Sequence, residues 1–207
     1  GAELRIYSSG SLTVHGELSV AIGGLIKNSG TLSIKKDGIF SVYGNAQSSV
    51  NGALNISGSM TVYNKGVFET SSATKIFKGA EILVKGSASF YKSSDVKLSG
   101  TVTSVEKSDL ELRGIMAVSL SGIIDVFGHI TIGAASSVRC SGMFIINEEA
   151  TYTRFKSIII TKSGQFLDSR PEYEYEEMTV DVLIDEPDVE LHGIDVSWAQ
   201  KIGRAHV

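Results

Sequence analysis

Cysteine and proline are scarce in this chain of 207 residues, which has one cysteine and two prolines. A single cysteine excludes an internal disulfide framework and is compatible with either the cytosol or a cell exterior. No run of 18 apolar residues occurs, so no membrane span is predicted. Nucleotide-binding glycine motifs, HExxH, paired cysteines and a basic stripe are also missing. These absences predict no cofactor and no nucleic-acid partner.

Both ends of the chain indicate a fragment. The first residues, GAEL, contain neither a methionine nor a signal-peptide pattern. The last six, IGRAHV, correspond to the translation of a common sequencing-adapter DNA, so we exclude residues 202–207 from the fold prediction as an artefact. We expect an internal piece of a longer protein, whose parent could still carry a signal peptide.

Glycine, by contrast, is abundant, with 22 residues, and it recurs in a fixed register. Residues 10–20 read GSLTVHGELSV, and this pattern returns every fourteen residues without insertion or deletion from residue 10 to residue 163. The first position is Gly, Ala or Ser in all eleven units, and the seventh is Gly in nine of them. Such a period is the signature of a repeat architecture.

Apolar residues keep the same register. At the third, fifth, ninth and eleventh positions of the units, 38 of 44 residues are apolar or aromatic. All these positions have even residue numbers, so one phase of alternation persists throughout the repeats. Successive side chains of a strand point to opposite faces, whereas a helix would lose this phase within about two turns. The repeats therefore predict strands whose even-numbered residues point inward.

Units that cannot bury an apolar face alone bury it by stacking. The sequence therefore predicts an all-β fold, a parallel β-solenoid wound from one chain, over residues 1–167. In its simplest form each fourteen-residue repeat is one two-faced coil, and about eleven coils make a rod roughly 50 Å long. A 28-residue coil of two repeats is the alternative, and an antiparallel repeat is a third arrangement.

Composition changes after the repeats. Residues 168–200 contain eleven acidic residues and one basic residue, whereas residues 1–167 carry a net charge of +4. Both prolines lie in this acidic stretch, where MTVDVLI, at 178–184, still alternates like a strand. We expect residues 168–201 to form an acidic C-terminal cap or the start of a following domain.

Residues fourteen apart would stack about 4.8 Å apart in the predicted coil, so columns of outward residues are the candidate sites. Tyr63, Phe77 and Tyr91 form one such column. It is a candidate glycan contact, or a ladder of rings that stiffens the rod. Cys140 takes an inward position and is expected to be a small buried hydrophobe.

Two further columns contain carboxylates. Glu81, Asp95 and Asp109 are candidate ligands of a cation such as Ca²⁺, although water and neighbouring lysines would also neutralise them. Glu111 and Asp125 are candidates for the paired acid–base chemistry of glycoside hydrolysis. A lysine and an arginine flank that pair in the same column, so an ion-pair ladder explains it equally well.

The GxLxVxGxLxV units resemble those of repetitive β-solenoid proteins of cell surfaces, adhesin-like stalks among them. The resemblance covers residues 2–167 and concerns architecture. It implies an extracellular or cell-surface structural or adhesive rod, a stalk, spacer or display surface within a longer protein, with surface glycans or proteins as partners. The alternatives are a carbohydrate-active or carbohydrate-binding β-helix protein and a cytoplasmic, filament-forming scaffold that self-associates end to end. Enzymatic activity is left open.

Overall fold

A computed structural model describes residues 1–153 and 158–170 and the backbone of residues 183–184. Within these residues the chain forms short strands of at most four residues, and connections of four and two residues alternate between the strands up to residue 151. Every strand pair is parallel, and the strands form three sheets. The predicted all-β parallel β-solenoid is therefore confirmed.

Each turn of the solenoid contributes one strand to each of three sheets, here called A, B and C. Sheet A contains β1 (Glu3–Ile6), β4 (Leu25–Asn28), β7 (Asn45–Ser48), β10 (Val67–Thr70), β13 (Ser87–Phe90), β16 (Asp109–Leu112), β19 (His129–Ile132) and β22 (Thr151–Thr153). Sheet B contains β2 (Ser11–Val14), β5 (Thr31–Ile34), β8 (Ala53–Ile56), β11 (Ala73–Ile76), β14 (Asp95–Leu98), β17 (Ile115–Val118), β20 (Ser137–Cys140), β23 (Ile158–Ile160) and β25 (Leu183–Ile184). Sheet C contains β3 (Glu17–Val20), β6 (Ile39–Val42), β9 (Ser59–Val62), β12 (Glu81–Val84), β15 (Thr101–Ser104), β18 (Ile123–Val126), β21 (Met143–Ile146) and β24 (Gln165–Asp168).

Strand register fixes the length of a coil. Glu3 pairs with Leu25, and Leu25 pairs with Asn45, so neighbouring strands of one sheet lie alternately 22 and 20 residues apart. A turn therefore contains three strands, and the described chain makes about seven turns. The predicted fourteen-residue, two-faced coil, its count of eleven, the 28-residue alternative and the antiparallel repeat are all wrong. Seven steps of about 4.8 Å give a section about 34 Å long.

The sequence repeat and one coil of the structure differ in length. A repeat holds two strands, one long connection and one short one, whereas a coil holds three strands. Every corner therefore stacks long and short connections alternately. Gly58 ends a short connection and lies on the long connection of the previous coil. A Cβ at Gly58 would lie 2.2 Å from the carbonyl oxygens of both Lys35 and Gly38, so only glycine permits this approach.

The short connections also explain why three sheets form rather than two. Opposed sheets of a flattened coil lie about 10 Å apart. A two-residue connection such as His15–Gly16 would have to run almost fully extended to cross that gap. In a three-sided coil the same connection only turns a corner between adjoining sheets, so it fits without being stretched.

Even-numbered side chains fill the interior, as the alternation predicts. The five phenylalanines with almost no solvent exposure are Phe40, Phe68, Phe90, Phe144 and Phe166. Rings one coil apart contact each other: the centroids of Phe68 and Phe90 are 5.9 Å apart, and those of Phe144 and Phe166 are 5.8 Å apart. The result is one apolar core that runs continuously from coil to coil.

Most exceptions to the apolar pattern meet in one place inside this core. Asn28 Nδ2 donates to Ser48 Oγ at 3.0 Å, and Ser48 Oγ donates to Ser72 Oγ at 2.9 Å. Thr70 Oγ1 lies 2.9 Å from Ser72 Oγ and 3.3 Å from Thr74 Oγ1. All five residues are buried. Polar side chains scattered over three repeats thus hydrogen-bond to one another as an internal ladder across adjacent coils, with Asn28 Oδ1 left without a partner among the described residues.

A buried ion pair lies at the end of the last strand of sheet C, between its final residue, Asp168, and Arg170. Arg170 Nε donates to Asp168 Oδ1 at 2.9 Å, and the Arg170 guanidinium lies 4.2 Å from the centroid of the Tyr152 ring. Of the predicted C-terminal segment 168–201, only residues 168–170 and the backbone of 183–184 are described, and the latter pairs with β23. Residues 202–207 lie outside the described part. No helix within the described ranges has the length and apolar character to cross a membrane.

Candidate functional site

The corner between sheets A and B carries a distinctive column of side chains. The residue that follows each sheet A strand stacks on its equivalent in the next coil, since its N–H donates to a carbonyl of the strand below. From β1 to β13 these residues are Tyr7, Ser29, Ser49, Ser71 and Tyr91. Three small side chains between two large ones leave a groove along the corner, which we call the serine groove.

The serine groove has a volume of about 260 Å³. Its lining includes the three serines together with Lys27, Gln47, Glu69 and Tyr91. Lys27, Gln47 and Glu69 point outward from successive strands of sheet A, because Lys27 pairs with Gln47 and Gln47 with Glu69. The coil length places these three residues side by side, although 20 and 22 positions separate them in sequence.

Glu69 is held in a fixed orientation at the end of the groove. The Tyr91 hydroxyl donates to Glu69 Oε1 at 2.5 Å, and Gln47 Nε2 donates to Glu69 Oε2 at 2.8 Å. The hydrogen bond to Glu69, followed by burial and the charges of Glu69 and Glu111, raises the pKa of Tyr91 above its usual value. The phenol therefore stays protonated, and the ring edge lies fixed beside a carboxylate and an amide.

This arrangement suits a neutral ligand rich in hydroxyl groups. Serine hydroxyls, an amide, a carboxylate and a tyrosine hydroxyl supply both donors and acceptors along one shallow channel. Lys27 and Glu69 carry opposite charges on different strands of sheet A, so the groove does not strongly favour a ligand of either charge. Among the described residues, no cluster of His, Cys, Asp or Glu could hold a metal ion.

No protein-family model and no curated protein matches this chain. The solved structures that match this chain include one with weak overall similarity. It is the crystal structure of a TibC-catalyzed hyper-glycosylated fragment of TibA, TibA55-350. The match has 12% sequence identity and a TM-score of 0.26, and it covers 81% of this chain and 77% of that chain. A likeness of this strength carries no argument about ligands or partners.

The three aromatic residues predicted to form a column lie at three different corners. Tyr91 lines the serine groove, and Phe77 lies between sheets B and C, where its neighbours are serines. Tyr63 lies between sheets C and A and stacks on Tyr43, with ring centroids 4.0 Å apart. The predicted ladder is absent from the described chain because its fourteen-residue spacing is two strands, not three.

The candidate cation ligands are dispersed for the same reason. Glu81 lies on sheet C between Ser59 and Thr101, Asp95 on sheet B, and Asp109 on sheet A beside His129. Their side chains point away from the coil on three separate faces. The structure therefore does not bring this trio together.

Glu111 and Asp125 are likewise separated. Glu111 lies on sheet A and forms an ion pair with Arg113, whereas Asp125 lies on sheet C and accepts a hydrogen bond from Asn147 Nδ2 at 2.7 Å. Outward residues of different faces cannot flank one glycosidic bond, which requires carboxyl groups about 5–9.5 Å apart. The acid–base hypothesis therefore loses its geometric basis in this pair.

Cys140 is buried, as predicted. Burial raises the pKa of its thiol to about 11, which keeps the sulfur in the unreactive thiol form. The residues that sequence reasoning missed are Gln47, Glu69 and Tyr43. A search for polar or aromatic residues 20 or 22 apart would have grouped them with Tyr91 and Tyr63.

Proposed function

We propose that this chain is a section of a rigid rod that serves as a stalk, spacer or display surface within a longer protein. The observation that supports this proposal is the uninterrupted parallel pairing of all three sheets around one core. Each coil is bonded to the next along three sides, so bending would strain hydrogen bonds and packing together. Such a section transmits a fixed separation between whatever lies at its ends.

Distance measurement between two spin labels tests rigidity directly. Thr13 and Ala117 both point outward on sheet B and are five strand steps apart, or about 24 Å along the axis. Labels on a Thr13→Cys/Ala117→Cys variant should give one narrow distance distribution, and the buried Cys140 should not be labelled. The same variant in denaturant provides the broad control. A broad distribution under native conditions would contradict the rod.

We also propose that this rod lies at the surface of the cell that produces it. Antibodies against the chain should stain intact source cells as strongly as permeabilised ones. Staining that requires permeabilisation would overturn the surface location and favour the cytoplasmic filament-forming scaffold. In that case sedimentation of the purified chain should show end-to-end oligomers, whose formation rises with protein concentration.

A second candidate function, carbohydrate binding, rests on the serine groove. The groove presents a tyrosine, an oriented carboxylate and an amide beside three hydroxyl groups, as a hydroxyl-rich ligand requires. Screening the chain against a glycan panel should identify a ligand whose affinity falls at least roughly tenfold in Gln47→Ala, since one lost hydrogen bond to a charged network is worth about 1.5–3 kcal/mol.

The matched control is Asn55→Ala on sheet B, which changes an outward amide away from the groove. An equal loss of affinity in both variants would place the ligand elsewhere. If no glycan binds, the carbohydrate proposal fails, and the rod proposal is still decided by the label distances.

A further inference from the structure

The corner between sheets C and A holds two tyrosines in direct contact. Tyr43 begins a short connection and Tyr63 begins the long connection of the next coil. Their rings are nearly parallel, with an interplanar angle of 10° and centroids 4.0 Å apart. Both side chains are half-buried on the outer surface. Lys85 Nζ lies 5.7 Å from the centroid of the Tyr63 ring, on the following coil.

We propose that Tyr43 and Tyr63 form an oxidative modification site, at which peroxide and a peroxidase couple the two rings into a dityrosine cross-link between adjacent coils. Each phenol loses one electron and one proton. The two phenoxyl radicals then join through the ring carbons ortho to oxygen, and the hydrogens on those carbons move to the oxygens. One carbon–carbon bond forms, two ring C–H bonds break, and one hydrogen peroxide is reduced to two waters.

Proximity determines the partner. Coupling requires two radicals to meet before either is quenched. The backbone hydrogen bonds between adjacent coils hold these two rings together, which gives each radical a high effective concentration of its partner. Tyr91 is differently placed, because its hydroxyl is hydrogen-bonded to Glu69 and no second tyrosine stacks on it among the described residues. Tyr7 is the most exposed of the described tyrosines, at 68%, and it therefore distinguishes exposure from proximity as the deciding factor.

Trypsin provides a direct readout, because Tyr43 and Tyr63 lie in one tryptic peptide, residues 37–65. After treatment of the folded chain with peroxide and peroxidase, this peptide should become two hydrogens lighter. Its fragmentation between residues 43 and 63 should be lost, and dityrosine fluorescence should appear in the monomer. Tyr63→Phe, which keeps the ring but not the phenol, should abolish the product, whereas Tyr7→Phe and Tyr91→Phe should leave it unchanged.

The yield of this looped peptide should fall roughly tenfold or more in denaturant, where the pairing of adjacent coils no longer holds the rings together. Equal yields in folded and unfolded chains would overturn the proposal. So would products dominated by intermolecular cross-links through Tyr7, which would show that exposure rather than the stacked pair decides the site.

Discussion

Replacement of Gly58 by alanine tests the stacking of short connections on long ones. The added Cβ would lie 2.2 Å from two backbone oxygens, about 1.2 Å inside ordinary contact at 3.4 Å. Neither oxygen belongs to a flexible side chain, so relief requires separation of two coils. That separation would stretch the hydrogen bonds from Ser57 N to Ile34 O, now 2.8 Å, and from Ser59 N to Gly38 O, now 3.0 Å.

The expected cost combines these effects. Overpacking costs about 1–3 kcal/mol, and each of the two hydrogen bonds contributes about 0.5–1.5 kcal/mol net. Gly58→Ala should therefore lower the free energy of unfolding by roughly 2–6 kcal/mol, measured by guanidinium denaturation followed by circular dichroism. Hydrogen exchange should accelerate most at the amides of residues 57 and 59.

Gly16 provides a matched control. It ends the first short connection, and a Cβ there would have no neighbouring atom within 4 Å. Gly16→Ala should be neutral or stabilising by up to about 1 kcal/mol, because alanine restricts the unfolded chain. Equal denaturation midpoints for the two variants would refute the argument that backbone contact between coils requires glycine.

Three further predictions concern single side chains. Ser72→Ala removes the residue that links Ser48 and Thr70 in the buried polar ladder. Denaturation should show that this variant loses about 1–3 kcal/mol of the free energy of unfolding. The exposed control, Ser119→Ala, should lose almost none. The raised pKa of Tyr91 means that its contribution to stability is complete below the pKa of free tyrosine, about 10, and is lost as pH rises through the higher folded value. Tyr91→Phe should therefore weaken the decline of stability at alkaline pH, measured by denaturation across that range. The Cys140 thiol should not react with a thiol reagent in the native chain and should react fully in denaturant, which a colorimetric thiol assay would show.

Inward and outward positions could be predicted from the sequence alone because alternation is a local property of strands. Phe40 and Phe144 were assigned to the interior on residue type and parity, and both are buried. The glycines of the repeat register coincide with the ends of the connections, as Gly10 and Gly16 directly precede β2 and β3. Neither kind of information depends on how many strands close a coil.

The candidate sites could not be predicted in the same way, because a site on a solenoid is defined by which residues of successive coils stack on each other. Fourteen residues move the chain by two strands, so Tyr63 and Tyr91 were placed in one column although they lie at different corners. The polar residues that interrupt the apolar pattern did contain a signal. Asn28, Ser48 and Thr70 are spaced by 20 and 22 residues, which are the two lengths of one coil.

The sequence by itself determined that this protein is a stack of parallel strands with even-numbered residues inside, since each fourteen-residue unit encodes two strands and two connections. Only the tertiary structure decided that three strands close a turn. That choice depends on the geometry of corners, where a short connection turns between adjoining sheets, and not on any residue type within the repeat. It is also what brings Gln47, Glu69 and Tyr91 into one groove and Tyr43 onto Tyr63.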